Sequence, residues 1–148
     1  MKKDITATSS SSKRRTWIVD DMLSQARELL TTEQYRAFTT LREYSVQHAD
    51  SVRLGSGKIA SFNPIWKFVC DKSLFSAFAN GKLQVNYHWL EYEDGSNRDV
   101  VNRLLGRLRD IGFNIPNNYH STVTTYEPDE WAPRVDALLK VLEEIHAS

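Results

Sequence analysis

The sequence predicts an α+β fold: two N-terminal helices, a small antiparallel sheet built on a central hairpin, and two C-terminal helices. Three observations carry that prediction. Apolar residues recur at helical spacing before residue 48 and again after residue 97. Between those stretches Asn80-Gly81 separates two strand-like runs, the strongest short-range cue for a β-hairpin. The chain has 148 residues, of which 41% are hydrophobic, and no internal repeat, so it can bury one core without disulfide or metal staples.

The elements follow in chain order. Residues 1–15 hold five basic side chains against one acidic, four consecutive serines, and no large apolar groups beyond Met1 and Ile5. Such a stretch cannot offset the entropy of ordering it, so it is expected to be a disordered tail ahead of a single domain at 16–148. Trp17, Ile18, Met22, Leu23, Ala26, Leu29 and Leu30 form the stripe of a first helix. Thr31 with Gln34 reads as a capping box opening a second helix, whose apolar face is Tyr35, Phe38, Leu41 and Tyr44 and which runs to about His48.

Past Asp50 the period changes. Leu54 to Phe62 is polar and glycine-rich, with Ile59 and Phe62 expected inward and Pro64 expected to end any strand. In the hairpin, a two-residue turn at Asn80-Gly81 pairs Phe78 with Leu83, Ser76 with Val85 and Leu74 with Tyr87. That face, continued by Trp89, is expected to meet the helices. Phe75, Ala77, Ala79, Lys82, Gln84, Asn86 and His88 then form the outer face. A helix from about Arg98 to Ile111 follows, capped by Ser96 or Asn97 and stopped by Gly112. Residues 113–128 read as irregular. Asp129-Glu130 precede the last helix, with Pro133 in its first turn and Val135, Leu138, Leu139, Leu142 and Ile145 inward.

Charge and composition exclude more functions than they suggest. Nineteen basic and nineteen acidic side chains cancel. Locally they do not: residues 53–88 hold five basic groups against one acidic, between two segments where acids dominate. The lone cysteine, Cys70, rules out an intrachain disulfide and points to a reducing, cytoplasmic setting with no membrane span. Gly55-Ser56-Gly57-Lys58 is not a phosphate loop, because Val52 and Ile59 occupy the positions that need a glycine and a magnesium-binding hydroxyl. No lysine has an acid two residues before it, as a metal-dependent nuclease of the restriction type requires; Ser56, Cys70 and Asn80 precede Lys58, Lys72 and Lys82. His48, His88, His120 and His146 are scattered, so no metal site and no cofactor are expected.

What remains is a binding surface. Arg53, Lys58, Lys67 and Lys82 combine with Ser61, Asn63, Gln84, Asn86 and His88, and with Phe75 and Trp66 as exposed aromatic candidates. Cations, hydrogen-bonding groups and stackable rings on an open sheet suit nucleic acid or another anionic partner. Two other readings stand beside this one. Trp17, Tyr35, Phe38 and Tyr44 on the first two helices would suit a protein–protein adaptor or self-associating subunit. Ser61 with Lys58 would suit a hydrolase-like nucleophile pair.

The segments "GSGKIASFNP" and "SLFSAFANGKLQVNYHWL", the Ile115-Pro116 pair and the closing "EWAPRVDALLKVLEEI" resemble a family of small, uncharacterised bacterial domains. In that family a GxGK-GSF-P segment precedes a Phe-containing hairpin and a Trp- or Leu-rich helix closes the domain. The resemblance covers roughly residues 50–146 and departs from the pattern at Ile59-Ala60, where a glycine is expected. It implies a link to DNA-related bacterial systems and transfers no catalytic residue.

Overall fold

The computed structural model describes residues 16–147, so the expected disordered tail lies outside the described residues. Helix α1 (Val19–Leu29) and helix α2 (Thr32–His48) come first, and the Thr31–Gln34 capping box opens α2 as its sequence requires. Five antiparallel strands then build one sheet: β1 (Ser51–Leu54), β2 (Ser61–Ile65), β3 (Phe75–Phe78), β4 (Leu83–Val85) and β5 (Thr124–Tyr126), in that spatial order. Helix α3 (Arg98–Asp110) lies between β4 and β5. The short α4 (Pro128–Trp131) and the long α5 (Val135–Ala147), joined by a 3₁₀ turn at Ala132–Arg134, close the chain. This is the α+β layout expected, with three elements more: β1, β5 inside the stretch read as irregular, and α4, which takes in Asp129-Glu130 instead of leaving them ahead of the last helix.

The strand pairs fix which side chains share a face. Leu54, Phe62, Ala77, Leu83 and Tyr126 line up across all five strands through successive partners. Phe62, Ala77, Leu83 and Tyr126 in that row are buried, and so are Phe75 and Val85 beside them. An aromatic chain ties this inner face to α2: Phe38 meets Phe62 at 5.2 Å, Phe62 meets Phe75 at 6.3 Å, and Phe75 meets Trp66 at 5.7 Å. Helices α3 and α5 contribute Val101, Leu104, Leu105, Leu108, Leu138, Val141 and Leu142 to the same core.

The hairpin register differs from the expected one by a residue. Gly81 N–H donates to the Phe78 carbonyl and Phe78 N–H to the Lys82 carbonyl, so three residues, not two, make the loop. A turn followed by a glycine at φ +95° is the glycine-bulge alternative to the two-residue turn. The pairs become Phe75–Val85, Ser76–Gln84 and Ala77–Leu83. Shifting one strand by one residue turns it over. Phe75, at 2% exposure, is therefore a core residue and not an exposed stacking group, whereas Ser76 and Phe78 face outward. Trp66, at 1%, is likewise core, packed against Phe75 and Tyr44.

Three further expectations are corrected. Pro64 lies inside β2, opposite Val52, and does not end the strand. The β2–β3 pairing runs Ser61–Phe78 and Phe62–Ala77, then resumes at Ile65–Ser73 one residue out of step, so the proline's missing N–H falls within a bulge. The second hairpin strand stops at Val85 and the chain turns into a 3₁₀ helix at Tyr87–Trp89, leaving Trp89 40% exposed instead of inward. Asn97 is the N-cap residue of α3 without capping it. Its side chain is buried and accepts from Tyr92 N–H while donating to the Val69 and Leu90 carbonyls, so it knits two loops to the helix start. The stop at Gly112 is as expected: Gly112 and Phe113 N–H return to the Arg109 and Leu108 carbonyls.

Candidate functional site

The outer face of the sheet carries Arg53 and Asn63 as a facing pair on β1 and β2, then Ser76, Gln84 and Thr125 on β3, β4 and β5. Beside that row, Ser61 pairs with Phe78. Alternation sends these side chains away from the buried row that meets the helices. None of the five strands contains an aspartate or glutamate. Arg53 and Thr125 are exposed, and Asn63, Ser76, Phe78 and Gln84 are half-buried, as on a sheet face without a covering layer.

The fold thus brings Arg53, Ser61, Asn63 and Gln84 together. Asn63 Nδ2 donates to the Arg53 carbonyl at 3.1 Å and to Ser61 Oγ at 3.3 Å, which presents the Asn63 carbonyl oxygen as an acceptor. Gln84 Nε2 donates to Asn86 Oδ1 at 2.8 Å. Asn86, fully buried, donates in turn to the Ser73 carbonyl, and so anchors the end of β4 instead of presenting a free edge. Lys82 stands at the hairpin rim, 3.9 Å from Glu127, in an exposed pair worth at most about 1 kcal/mol.

The remaining candidates are placed elsewhere. Lys58 belongs to the loop between β1 and β2, and that loop is pinned to the N-terminal segment. Trp17 N–H donates to the Gly55 carbonyl and Trp17 Nε1 to the Gly57 carbonyl, while Gln25 bonds both the Lys58 carbonyl and Ala60 N–H. Gly55 lies so close to Ser61 Oγ that a Cβ there would overlap it. The glycine-rich stretch is a clasp. Lys67 is at the opposite end of the sheet, where its N–H donates to Asp50 Oδ2. His88 lies in the 3₁₀ turn, its ring 4.9 Å from Trp89.

The aromatic helix surface expected for an adaptor is largely consumed by packing. Phe38 is fully buried, Tyr44 contacts His48 and Trp66, and Tyr35 lies under the Arg27 guanidinium. Ser61, 6% exposed, has Asn63 as its hydrogen-bond partner, and no hydrogen bond joins it to Lys58 among the described residues. The groups with raised pKa values are led by Tyr87, through burial and then the neighbouring Tyr126 hydroxyl, 2.9 Å away. Burial also pushes the Cys70 thiol up, which holds it in its unreactive form. Among the described residues no group of three histidine, cysteine or carboxylate side chains is placed to hold a metal ion. The internal void lined by Phe75, Leu104 and Leu142 is apolar and about 10 Å³, too small for a ligand. No described helix is long and apolar enough to cross a membrane.

Sequence reasoning missed Lys72, Ser76, Phe78, Trp89 and Thr125. The signal for Ser76 and Phe78 was present: Phe75-x-Ala77 and Leu83-x-Val85 align as one apolar face only with a three-residue loop. In comparisons with known proteins, the chain matches no family model, no curated protein and no solved structure.

Proposed function

We propose that this chain is a binding module for nucleic acid, held on the outer face of the sheet. The observation that carries the reading is an uncovered five-stranded face with no carboxylate in any strand, bearing Arg53 and a row of amide and hydroxyl groups. Arg53 presents a fork of donors suited to a phosphate, and Asn63, Gln84 and Thr125 offer hydrogen bonds along a track perpendicular to the strands. Lys82 lies three inter-strand spacings across from Arg53 and two residues along the chain from Gln84, about 16 Å away, so the two cations engage separate phosphates. A phosphate at Lys82 would compete only with its weak contact to Glu127.

The test is a titration of labelled single- and double-stranded oligonucleotides at about 50 and 200 mM salt. Binding that weakens with salt, and weakens again in Arg53→Ala, supports the reading. Absence of binding at tens of micromolar protein in the lower salt overturns it.

A further inference from the structure

The end of the sheet where β4 runs out holds an exposed aromatic corner, with one cation beside it, that the strand face alone does not explain. Trp89 is 40% exposed, while Trp66 and Trp131 are each at 1%. Lys72 Nζ sits 5.6 Å from the Trp89 ring centroid, a cation–π contact at the surface. Val123, 55% exposed, precedes β5; extending the β4–β5 register by one residue puts it across from Asn86. Trp89 N–H donates to the Asn86 carbonyl, so the indole follows one turn after the amide that Gln84 bonds from the outer face. The outer face at Gln84 is therefore joined, through buried Asn86, to the turn that carries an exposed ring with a cation over it.

We infer that this corner is a base-stacking site, and that the nucleic acid on the sheet is single-stranded. The inference rests on the sheet-face reading and adds the ligand's class to it. A base inside a duplex has no free face to offer an indole, whereas an unpaired base stacks on it whatever its identity. Lys72 beside the ring supplies the charge for the adjoining phosphate. The chemistry asks for an exposed π-face, a cation within reach of the same nucleotide, and a hydrogen-bonding track leading away. Trp89 supplies the exposed indole, Lys72 the cation, and Gln84 with Thr125 on the outer face the hydrogen-bonding groups.

Binding of a labelled oligothymidine of about 15 residues, the same strand with abasic sites, and a duplex of equal length tests this. Wild type, Trp89→Ala, Trp89→Phe and Arg53→Ala are compared, with circular dichroism confirming that each is folded. Trp89→Ala is expected to lose about 5- to 100-fold on oligothymidine, and Trp89→Phe much less. Duplex binding should be nearly unmoved by Trp89→Ala, and the abasic strand should bind wild type about as weakly as oligothymidine binds Trp89→Ala. Equal affinity of wild type and Trp89→Ala for oligothymidine overturns the stacking site while leaving the sheet-face reading standing on Arg53→Ala. An equal loss on single strand and duplex also overturns it. If wild type binds no oligonucleotide, both readings fall; self-association abolished by Trp89→Ala would then assign the corner to a protein contact.

Discussion

The two faces of the sheet are made by alternate residues of the same strands, yet they do opposite work. On the inner face Phe62, Phe75, Ala77, Leu83 and Val85 are buried against the helices and linked by an aromatic chain to α2. On the outer face stand Arg53, Asn63, Ser76, Gln84 and Thr125, where Asn63 bonds the Arg53 carbonyl and Ser61, and Gln84 bonds Asn86. Burial supplies the free energy of folding, so the inner face tolerates little change. The outer face contributes little to stability and is free to be chosen for what it touches. Stability and recognition should therefore respond to different substitutions on adjacent positions.

Breaking the inner side should give the largest effect. Trp66→Ala removes a ring packed against Phe75 and Tyr44 and is expected to cost about 3–5 kcal/mol in denaturant unfolding, with loss of cooperative folding if the domain is marginal. Gly81→Ala comes next. It puts a Cβ at φ +95° and 2.5 Å from Pro128 Cγ, at a turn whose carbonyl accepts from Trp131 Nε1, for an expected cost of about 2–4 kcal/mol. Asn97→Ala leaves the buried Val69 and Leu90 carbonyls without their donor and should cost about 2–3 kcal/mol by the same measurement.

Alkaline titration separates the faces in another way. Tyr87 and Tyr126 have pKa values raised chiefly by burial, above the ordinary value of 10.0. Their neutral forms are favoured in the folded state, so this contribution is fully present below pH 10 and falls as the unfolded chain's phenols ionise above it. Unfolding midpoints measured between about pH 8 and 11 should drop at the alkaline end, and less steeply in Tyr87→Phe. The smallest stability effect belongs to the outer face. Arg53→Ala should change unfolding free energy by less than about 0.5 kcal/mol while lowering oligonucleotide affinity several-fold. A large loss of stability there would erase the distinction between the faces.

Much of this architecture is legible in the sequence because its signals are local. The Thr31–Gln34 box, the α2 stripe and the glycine stop of α3 depend on neighbours a few residues away. What escaped depends on partners far along the chain. β5 is three residues long, Thr124–Tyr126, and exists because β4 offers it an edge. Pro64 is tolerated because β3 bulges opposite it, which no motif around Pro64 announces. The candidate site suffered from one such error. A single extra loop residue at Gly81 inverts β3, burying Phe75 and turning Phe78 outward, while Arg53, Asn63 and Gln84 lie on the outer face. Trp89 escapes for a separate reason: the alternating pattern runs on to Trp89, four residues past the end of β4 at Val85, where the chain turns into the 3₁₀ helix.

The clasp on the glycine-rich loop couples parts of the chain that sequence distance separates. Trp17 and Gln25 hold Gly55, Gly57, Lys58 and Ala60 by four hydrogen bonds, and β1 and β2 are the two strands that loop joins. Unwinding of α1 would thus free the turn of the β1–β2 hairpin as well. In native-state hydrogen exchange, the amides of α1, the loop and the outermost strand should open as one unit at low denaturant, ahead of β3 and β4. A carrier fused at Trp17, or a deletion reaching it, would accordingly be felt at the strand that carries Arg53.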